Sequence, residues 1–179
     1  MEPRAYTGVD FKLLDVERSG GMSRVRKAQL IETAEACALK YAGRDGHETA
    51  ASTSFNREIE ALANMEHKNI VRLVGIGSDG ADRFIALEWL EETLHEKIEA
   101  LGCMDWTTFY EQIGRPLLDA LQYAHARGYV HRDFKPMNVM FSKQNVAKIT
   151  DFGIARATQD VSDPAGRART PCRRNLSRA

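Results

Sequence analysis

The sequence lacks several patterns that would assign it to a particular class of protein. No stretch approaches the ~18 consecutive apolar residues that a membrane-spanning helix needs. The N-terminal stretch has no apolar core after a basic start, so no secretion signal is predicted. The three cysteines, Cys37, Cys103 and Cys172, show no C-x-x-C spacing, which argues against a disulfide framework and a cysteine-rich zinc site. These absences predict a soluble, cytoplasmic protein without a membrane segment.

The sequence also lacks a net charge, although its charges are unevenly distributed. Its 25 Lys and Arg balance its 25 Asp and Glu. Residues 154–179 hold six Arg and two Asp, so the preceding residues carry an excess of acidic groups. This basic tail has no aromatic residue on which a nucleic-acid base could stack, and we expect no nucleic-acid partner. No internal repeat or low-complexity linker is present, and the composition is that of an ordinary globular protein.

Short apolar stretches predict a small antiparallel sheet in the first half of the chain. Three strands within residues 11–41 form a meander, and two more surround the turn-rich loop at 78–82. One amphipathic helix lies between them, with Ser52 or Ser54 as its N-cap. Its apolar residues recur at helical spacing: Phe55, Ile59, Leu62 and Met65. The pattern therefore predicts five strands and one helix.

The second half of the chain is mainly helical in pattern. A short helix precedes a long one at 105–128, which ends at Gly128 as a C-cap. The apolar residues of the long helix form one stripe: Trp106, Phe109, Ile113, Leu117, Leu121 and Ala124. Pro116 would either kink this helix, the interpretation that we favour, or begin a second segment in its first turn. Two strand–loop units at 129–141 and 146–157 follow.

The polar loop at residues 131–138 carries the strongest chemical pattern. It reads HRDFKPMN, and DFG follows at 151–153. A loop of this kind could be a solvated turn between strands, but charges between two buried segments need partners or a ligand. The two motifs at this spacing resemble the catalytic loop and the metal-binding motif of protein kinases, particularly bacterial Ser/Thr kinases. A solvated turn does not explain both motifs.

The resemblance implies a role for each polar residue of these motifs. Asp133 would accept the proton of the substrate hydroxyl, and Lys135 would contact the γ-phosphate of ATP. Asn138 and Asp151 would hold Mg²⁺ through oxygen ligands. Lys135, two residues after Asp133, implies Ser/Thr rather than Tyr substrates. The family therefore implies ATP and Mg²⁺ as cofactors and a protein as the phosphoryl acceptor.

Two upstream segments also resemble the nucleotide-binding part of a kinase. In the stretch CALK, Ala38 and Lys40 match the family's V-A-I-K motif, so Ala38 would lie near adenine and Lys40 near the α- and β-phosphates. A lone Lys at the end of a strand is usually a solvated charge. The following helix matches the family's third helix, and its Glu58 would form the ion pair that steadies Lys40.

The Gly-rich loop is the least complete match. When Val25 is aligned with the Val of G-x-G-x-x-G-x-V, Gly20 matches the second Gly and Gly21 lies beside it. Arg18 and Ser23 stand at the other two glycine positions. Glycines allow backbone amides to approach phosphate, so this loop would cover ATP less closely. The residues alone also fit a plain hairpin turn.

The segment FIALEWLEE resembles the hinge between kinase lobes. Leu87 would be the gatekeeper, and the backbone from Glu88 to Leu90 would face adenine. His131 is interpreted as a structural histidine, and Arg132 would bind a phosphate on the activation segment. With His131, three further residues correspond to the stacked apolar spine of active kinases: Leu62, Leu73 and Phe152.

The predicted fold is α+β and protein-kinase-like, with a five-stranded antiparallel N-lobe, one main helix, and an incomplete, mainly helical C-lobe. The N-lobe would span 9–91, the partial C-lobe 92–156, and a basic tail expected to be disordered 157–179. No A-P-E motif follows DFG, so the kinase domain is expected to be truncated after the DFG motif.

Three functions are compatible with this pattern. The first is a truncated Ser/Thr protein kinase, the second a nucleotide-binding module without turnover, and the third an inactive gene fragment. A small-molecule phosphotransferase fits less well, because such enzymes usually carry Gly in place of Arg132. In a truncated domain the long helix would leave an apolar face exposed, and the chain would be prone to associate through it.

Overall fold

Six strands form a sheet in the N-terminal half of the chain. The computed structural model describes residues 3–20, 23–42, 48–102, 104–152 and 156–157. The strands of this sheet are β1 (Ala5–Thr7), β2 (Phe11–Gly20), β3 (Ser23–Leu30), β4 (Ala36–Tyr41), β5 (Leu73–Asp79) and β6 (Asp82–Glu88). Their order is β1-β5-β6-β4-β3-β2, so the predicted meander β2-β3-β4 is present. Along β4 the side chains of Cys37, Leu39 and Tyr41 are buried and alternate with more exposed ones, as a strand requires.

The predicted five-stranded antiparallel sheet is extended by a sixth strand, which is parallel. β1 pairs with β5, and Tyr6 lies opposite Gly77. A Cβ atom on Gly77 would lie 2.5 Å from the backbone oxygen of Tyr6 and 2.5 Å from Phe84 Cζ, so only glycine leaves room for this strand. Three residues are too few to show the alternation on which strand prediction depends. For this reason the sequence pattern did not reveal β1.

Helix α1 (Glu48–Ala63) packs its apolar face against the sheet. Phe55 and Leu62 are buried in one core cluster with Ile85 of β6. The helix begins at Glu48, so the predicted N-cap at Ser52 or Ser54 is wrong, and both serines lie inside the helix. The preceding stretch ETAA contains two alanines, which favour helix and extend it toward the N terminus.

Among the described residues, the second half of the chain contains three further α-helices and a π-helical turn. These elements are α2 (Leu94–Leu101), α3 (Trp106–Phe109), the π-helical turn (Tyr110–Gly114) and α4 (Arg115–Ala126). Pro116 lies in the first turn of α4, but the helical backbone conformation continues from the π-helical turn through Gly114 and Arg115, so Pro116 does not begin a separate helix. Gly128, with φ +84°, follows the C-terminus of α4 as predicted.

The π-helical turn changes which residues of the long helical segment face the core. Its i→i+5 bond from Arg115 N–H to the Tyr110 oxygen rotates the preceding turn relative to α4. Ile113 and Leu117 are buried, whereas Trp106 is 72% exposed. The predicted single stripe is therefore wrong at Trp106.

Two small sheets contain the remaining strands among the described residues. One has the order β10-β9-β7 and contains β7 (Glu92–Thr93), β9 (Val139–Phe141) and β10 (Ala147–Ile149). The other pairs β8 (Tyr129–Val130) with β11 (Arg156–Ala157). Within the described ranges no helix is long and apolar enough to cross a membrane. The predicted basic tail lies outside the described residues, apart from Ala157.

Candidate active site

Lys40 on β4 joins the N-terminal sheet, α1 and the DFG motif. Its Nζ donates hydrogen bonds to both carboxylate oxygens of Glu58, at 2.8 and 2.7 Å. It also donates to Asp151 Oδ1 at 3.2 Å. Ala38 lies two residues earlier on the same face of β4, and Val25 of β3 is the cross-strand partner of Lys40. The structure thus brings four predicted site residues to one face of the sheet, next to Asp151.

The electrostatics of this cluster keep Lys40 charged. Burial of the ammonium favours its neutral form, but the carboxylates of Glu58 and Asp151 outweigh burial and raise the pKa of Lys40. Glu58 is only 2% exposed, and burial raises the pKa of its carboxyl although Lys40 opposes the shift. A positive charge therefore remains beside Asp151, where a phosphate group could be bound.

The carboxylate of Asp133 is held by two neighbours in the loop 131–138. Lys135 Nζ donates to Asp133 Oδ2 at 2.7 Å, and Asn138 Nδ2 donates to the same oxygen at 3.0 Å. The bond from Lys135 is the main cause that lowers the pKa of Asp133 below its ordinary value; desolvation opposes it, and the bond from Asn138 adds to it. The carboxylate is thus ionised at neutral pH and can accept a proton or a hydrogen bond.

Hydrogen bonds of His131 and Thr150 connect the loop 131–138 to the segment that leads into the DFG motif. The Asp133 N–H donates to His131 Nδ1 at 3.3 Å, which assigns the ring proton to Nε2. His131 Nε2 then donates to the Thr150 oxygen at 2.7 Å. Thr150 in turn donates from its N–H and its hydroxyl to the Asn138 oxygen, at 2.9 and 3.2 Å. These bonds connect Asp133, Asn138 and the residue before Asp151 into one unit.

The residues predicted to form an apolar spine lie in the core or pack against it. The rings of His131 and Phe152 meet edge to face, with centroids 4.7 Å apart. Leu62 and Phe152 are buried in the same core cluster, and Leu73 packs against it as a partly buried residue. The spine residues therefore link α1 and β5 to the loop that holds Asp133.

Two non-glycine residues of the site have left-handed backbone conformations. Arg132 has φ +63° and Asp151 has φ +62°. Such conformations cost of order 1–3 kcal/mol at residues other than glycine and are concentrated at functional sites. The cost implies that the hydrogen bonds and packing around both motifs hold these residues in place.

The predicted hinge runs from the end of β6 into the second half of the chain. Leu87 is buried and lies opposite Ala38 in the sheet, and Leu90 is buried three residues later. Glu88 lies between them at the end of β6, and its N–H donates to the Arg72 oxygen at 3.0 Å. This segment therefore borders the same part of the sheet as Ala38.

The sequence reasoning missed two polar partners of this segment and the link at Thr150. Lys148 Nζ donates to Glu88 Oε1 at 2.7 Å, and the Arg72 N–H donates to the same oxygen at 2.7 Å. Lys148 lies between buried Ala147 and Ile149 on a strand. The sequence pattern is the same at any strand position between two buried residues, so it does not single out Lys148. Thr150 stands directly before DFG, which is the one sequence signal that could have marked it.

The predicted Gly-rich loop is partly within the described residues. In the β2–β3 hairpin, Gly20 pairs with Ser23 and Arg18 pairs with Val25. Gly21 lies outside the described residues. The hairpin places Val25 next to Lys40.

The side chains of Asn138 and Asp151 fit a divalent cation that is shared with a phosphate group. Both side-chain hydrogen bonds that the structure shows for Asn138 are donated by its Nδ2, which leaves its Oδ1 for a cation. The side chain of Asp151 is 47% exposed and supplies carboxylate oxygens. Among the described residues no group of three His, Cys, Asp or Glu forms a self-contained metal site. The donor set thus suits Mg²⁺, which is usually held by one or two protein oxygens together with substrate phosphates and water.

Comparison with known proteins identifies the family. The model of the protein kinase domain matches residues 18–172. The chain is 34% identical over 169 residues to the probable serine/threonine-protein kinase PknB of Bifidobacterium longum, covering 88% of this chain and 24% of that protein. It is also 34% identical over 166 residues to the probable serine/threonine-protein kinase SCO3848 of Streptomyces coelicolor, covering 89% of this chain and 24% of that protein.

A more distant relative is the cell division control protein 2 homolog 3 of Trypanosoma brucei brucei, which is 30% identical over 149 residues, 83% of this chain and 48% of that protein. The chain spans about a quarter of the length of the two bacterial relatives.

The predicted α+β, protein-kinase-like fold is confirmed, with six rather than five strands in the N-lobe. Because the family model matches most of its length, the chain belongs to the protein kinase family.

Proposed function

We propose that this chain transfers the γ-phosphoryl group of ATP to Ser or Thr hydroxyls of a protein. The observation that carries the proposal is the cluster in which Lys40 contacts Glu58 and Asp151 while Asp133 is held by Lys135 and Asn138. Phosphoryl transfer needs little covalent chemistry from the protein, but it needs positioned charges around the phosphates and an acceptor for the hydroxyl proton. The cluster supplies both.

Each polar group of the cluster has a separate task in this proposal. Asp133 orients the substrate hydroxyl and accepts its proton, for which its lowered pKa keeps it ionised. Lys135 contacts the γ-phosphate, and Lys40 contacts the α- and β-phosphates. Membership of the family implies a divalent metal ion, and Asn138 and Asp151 would hold it as Mg²⁺. When bound, Mg²⁺ supplies positive charge that neutralises the phosphates.

The nucleotide base would lie between the sheet and the hinge. Val25 and Ala38 would contact adenine from the sheet, Leu87 would limit the depth of the pocket, and the backbone of 88–90 would bind the adenine edge. Gly20 and Gly21 would cover the phosphates. In this arrangement residues 9–91 form the nucleotide-binding lobe, with β1 added at its edge, and residues 92–156 form the part that carries the HRD and DFG motifs.

The class of substrate rests on the family resemblance, and the compartment rests on the cysteine pattern. Lys135, two residues after Asp133, supports Ser/Thr rather than Tyr acceptors in proteins. The spacing of the three cysteines, which suits reduced thiols, supports a cytoplasmic location.

A second candidate function is nucleotide binding without turnover. Phe134 and Met137, on either side of Lys135, are 48% and 54% exposed, although both are apolar. The outer side of the loop that carries Asp133 is therefore uncovered by the other described residues. Catalytic groups must be held to within about 0.5 Å, and an uncovered loop would bind Mg·ATP but transfer phosphate slowly.

The test is phosphate transfer from γ-labelled ATP to a generic basic protein, with and without the substitution Asp133→Asn. We expect transfer by the unaltered chain and a loss of about 10²–10⁴-fold in the variant, the usual contribution of a positioned proton acceptor. Asp119→Asn, at an exposed position on α4, is the matched control and should leave the rate unchanged.

The two candidate functions give different results in this assay. Thermal stabilisation by Mg·ATP without any transfer would support the binding module. If the rate were the same in the Asp133→Asn variant, Asp133 would lose its assigned role. If Mg·ATP produced no thermal shift, both functions would be rejected.

A further inference from the structure

One carboxylate at the start of the hinge receives hydrogen bonds from both halves of the molecule. Glu88 Oε1 accepts from the Arg72 N–H and from Lys148 Nζ, each at 2.7 Å. The Glu88 and Lys148 side chains are only 17% and 13% exposed. An ion pair so largely withdrawn from water is screened much less than a surface pair, and its geometry is fixed by the additional bond from the main chain.

This ion pair joins the two ends of the proposed nucleotide site. Glu88 is the last residue of β6, directly before the backbone that would bind adenine. Lys148 is the central residue of β10, and the chain runs from it through Ile149 and Thr150 to Asp151, which would bind the metal ion. The Glu88–Lys148 ion pair therefore connects the segment at the adenine end directly to the strand that leads to the metal end.

Hydrogen bonds to the main chain on either side of Lys148 hold β10 in place and so position this ion pair. The Ile149 N–H donates to the Asn69 oxygen at 2.8 Å, and the Val71 N–H donates to the Ile149 oxygen at 2.9 Å. The side chain of Asn69 donates to the Ala147 oxygen at 2.7 Å. Residues 69–71 lead into Arg72, whose N–H contacts Glu88, so the bonds form a closed path through both partners of the ion pair.

We propose that Lys148 is a positioning residue whose ion pair with Glu88 sets the spacing between the adenine end and the metal end of the nucleotide site. This inference rests on the proposed function, because it assumes that Mg·ATP binds along the path from the hinge to Asp151. A ligand that spans both ends needs the correct spacing, whereas a ligand that contacts only the hinge does not. The pair therefore matters for Mg·ATP and not for adenosine.

The test compares the Kd values of Mg·ATP and of adenosine, measured by titration calorimetry, in the unaltered chain and in Lys148→Met. We expect the Kd of Mg·ATP to rise about fivefold or more, the lower range of coupling between two sites. The Kd of adenosine should stay unchanged. Lys148→Arg keeps the ion pair and should restore most of the Mg·ATP affinity.

The matched control is Lys97→Met. Lys97 Nζ also lies 2.7 Å from a carboxylate oxygen, that of Glu92, but this pair connects β7 to α2 and does not span the nucleotide site. Its loss should change neither Kd. A general loss of structure in Lys148→Met would weaken both ligands by the same factor and would overturn the inference.

The remaining outcomes separate the inference from the function on which it rests. If the unaltered chain binds Mg·ATP and Lys148→Met binds it equally well, the positioning role is rejected and the proposed function stands. If the unaltered chain binds neither Mg·ATP nor adenosine, the proposed function fails, and the positioning role fails with it.

Discussion

At the scale of single residues, the contact between Lys40 and Glu58 places a charged pair inside the N-terminal sheet. The side chains of Lys40 and Glu58 are 14% and 3% exposed. Two opposite charges at this depth stabilise the fold only while both are present, because either one alone would be a desolvated charge without a partner. The same pair also positions Lys40 next to Asp151, so the stability of the fold and the proposed nucleotide binding depend on one contact.

The substitution Lys40→Met should destabilise the protein by about 3 kcal/mol, the cost of leaving one member of a buried pair unpaired. Burial already raises the pKa of Glu58, and without Lys40 that pKa rises further. The folded variant then binds a proton that the unfolded chain does not, so its stability recovers as the pH falls toward 4.5. Urea unfolding at pH 8 and pH 5 checks this, and the loss should be smaller at pH 5.

A double variant provides the control for this prediction. Lys40→Met combined with Glu58→Leu replaces the ion pair by two apolar groups, which is often neutral or stabilising. It should be more stable than Lys40→Met alone. Equal stability of the two variants would show that the unpaired carboxylate is not the source of the loss.

The ionisation of Asp133 provides a second prediction at this scale. Because the hydrogen bond from Lys135 is the main cause of its lowered pKa, Lys135→Ala should raise the pKa of Asp133 toward 3.8. Asn138→Ala should raise it less, since its bond is the weaker contribution. Titration of the carboxyl carbon by NMR measures both values, and unchanged titration in Lys135→Ala would contradict the arrangement of the loop.

The sequence was sufficient to select the residues of the charged cluster, because the kinase motifs fix both residue type and spacing. Lys40, Glu58 and Asp151 lie far apart in sequence but within hydrogen-bonding distance in space. Lys148 and Thr150 could not be selected in this way. Their importance comes from the bonds that they make across the fold, and neither residue type is unusual at its position.

At the scale of elements, β1 shows how a strand can depend on the absence of a side chain in its neighbour. Its partner β5 has Gly77 opposite Tyr6, and the Ile76 N–H donates to the Arg4 oxygen at 2.9 Å. The helical segments show a related effect, because the π-helical turn exposes Trp106 although its spacing suggested a buried face. Both outcomes depend on backbone geometry that apolar periodicity does not record.

The substitution Gly77→Ala should detach β1 from the sheet. The added Cβ would lie 2.5 Å from Phe84 and from the Tyr6 oxygen, and overpacking of this kind costs about 1–3 kcal/mol. Hydrogen exchange at the Ile76 amide, which β1 protects, should become faster.

Gly80→Ala is the matched control for this prediction. Gly80 has φ +60° with no atom within 4 Å of an added Cβ, so the variant should cost about 1 kcal/mol through strain alone. Exchange at Ile76 should then remain slow. Faster exchange in both variants would indicate a general loss of stability rather than the loss of β1.

At the scale of the whole molecule, three exposed apolar side chains follow the long helical segment of the second half. We define the apolar helix surface as Trp106, Tyr110 and Leu118, which are all exposed along α3, the π-helical turn and α4. The rings of Trp106 and Tyr110 stack with centroids 6.0 Å apart. The predicted association through the C-lobe is not tested by the fold and stays a prediction.

We expect the chain to associate with itself through the apolar helix surface as its concentration rises. The double variant Trp106→Gln and Leu118→Gln should sediment as a monomer over a wider range of concentration than the unaltered chain. Val9→Gln removes another exposed apolar side chain, at the opposite end of the chain, and should leave association unchanged. Equal association in all three proteins would exclude this surface as the contact.

The buried thiol of Cys37 has a consequence for the motions of the sheet. Cys37 has no exposed surface, it is flanked by Ala28 of β3 and Glu88 of β6, and burial together with the charge of Glu35 raises its pKa to about 11. A thiol reagent attacks the thiolate, so labelling at neutral pH must wait until the strands separate. In a variant with Cys103→Ser and Cys172→Ser, the labelling rate of Cys37 therefore measures how often the sheet opens. Any ligand that binds only the closed form will slow this rate in proportion to its occupancy.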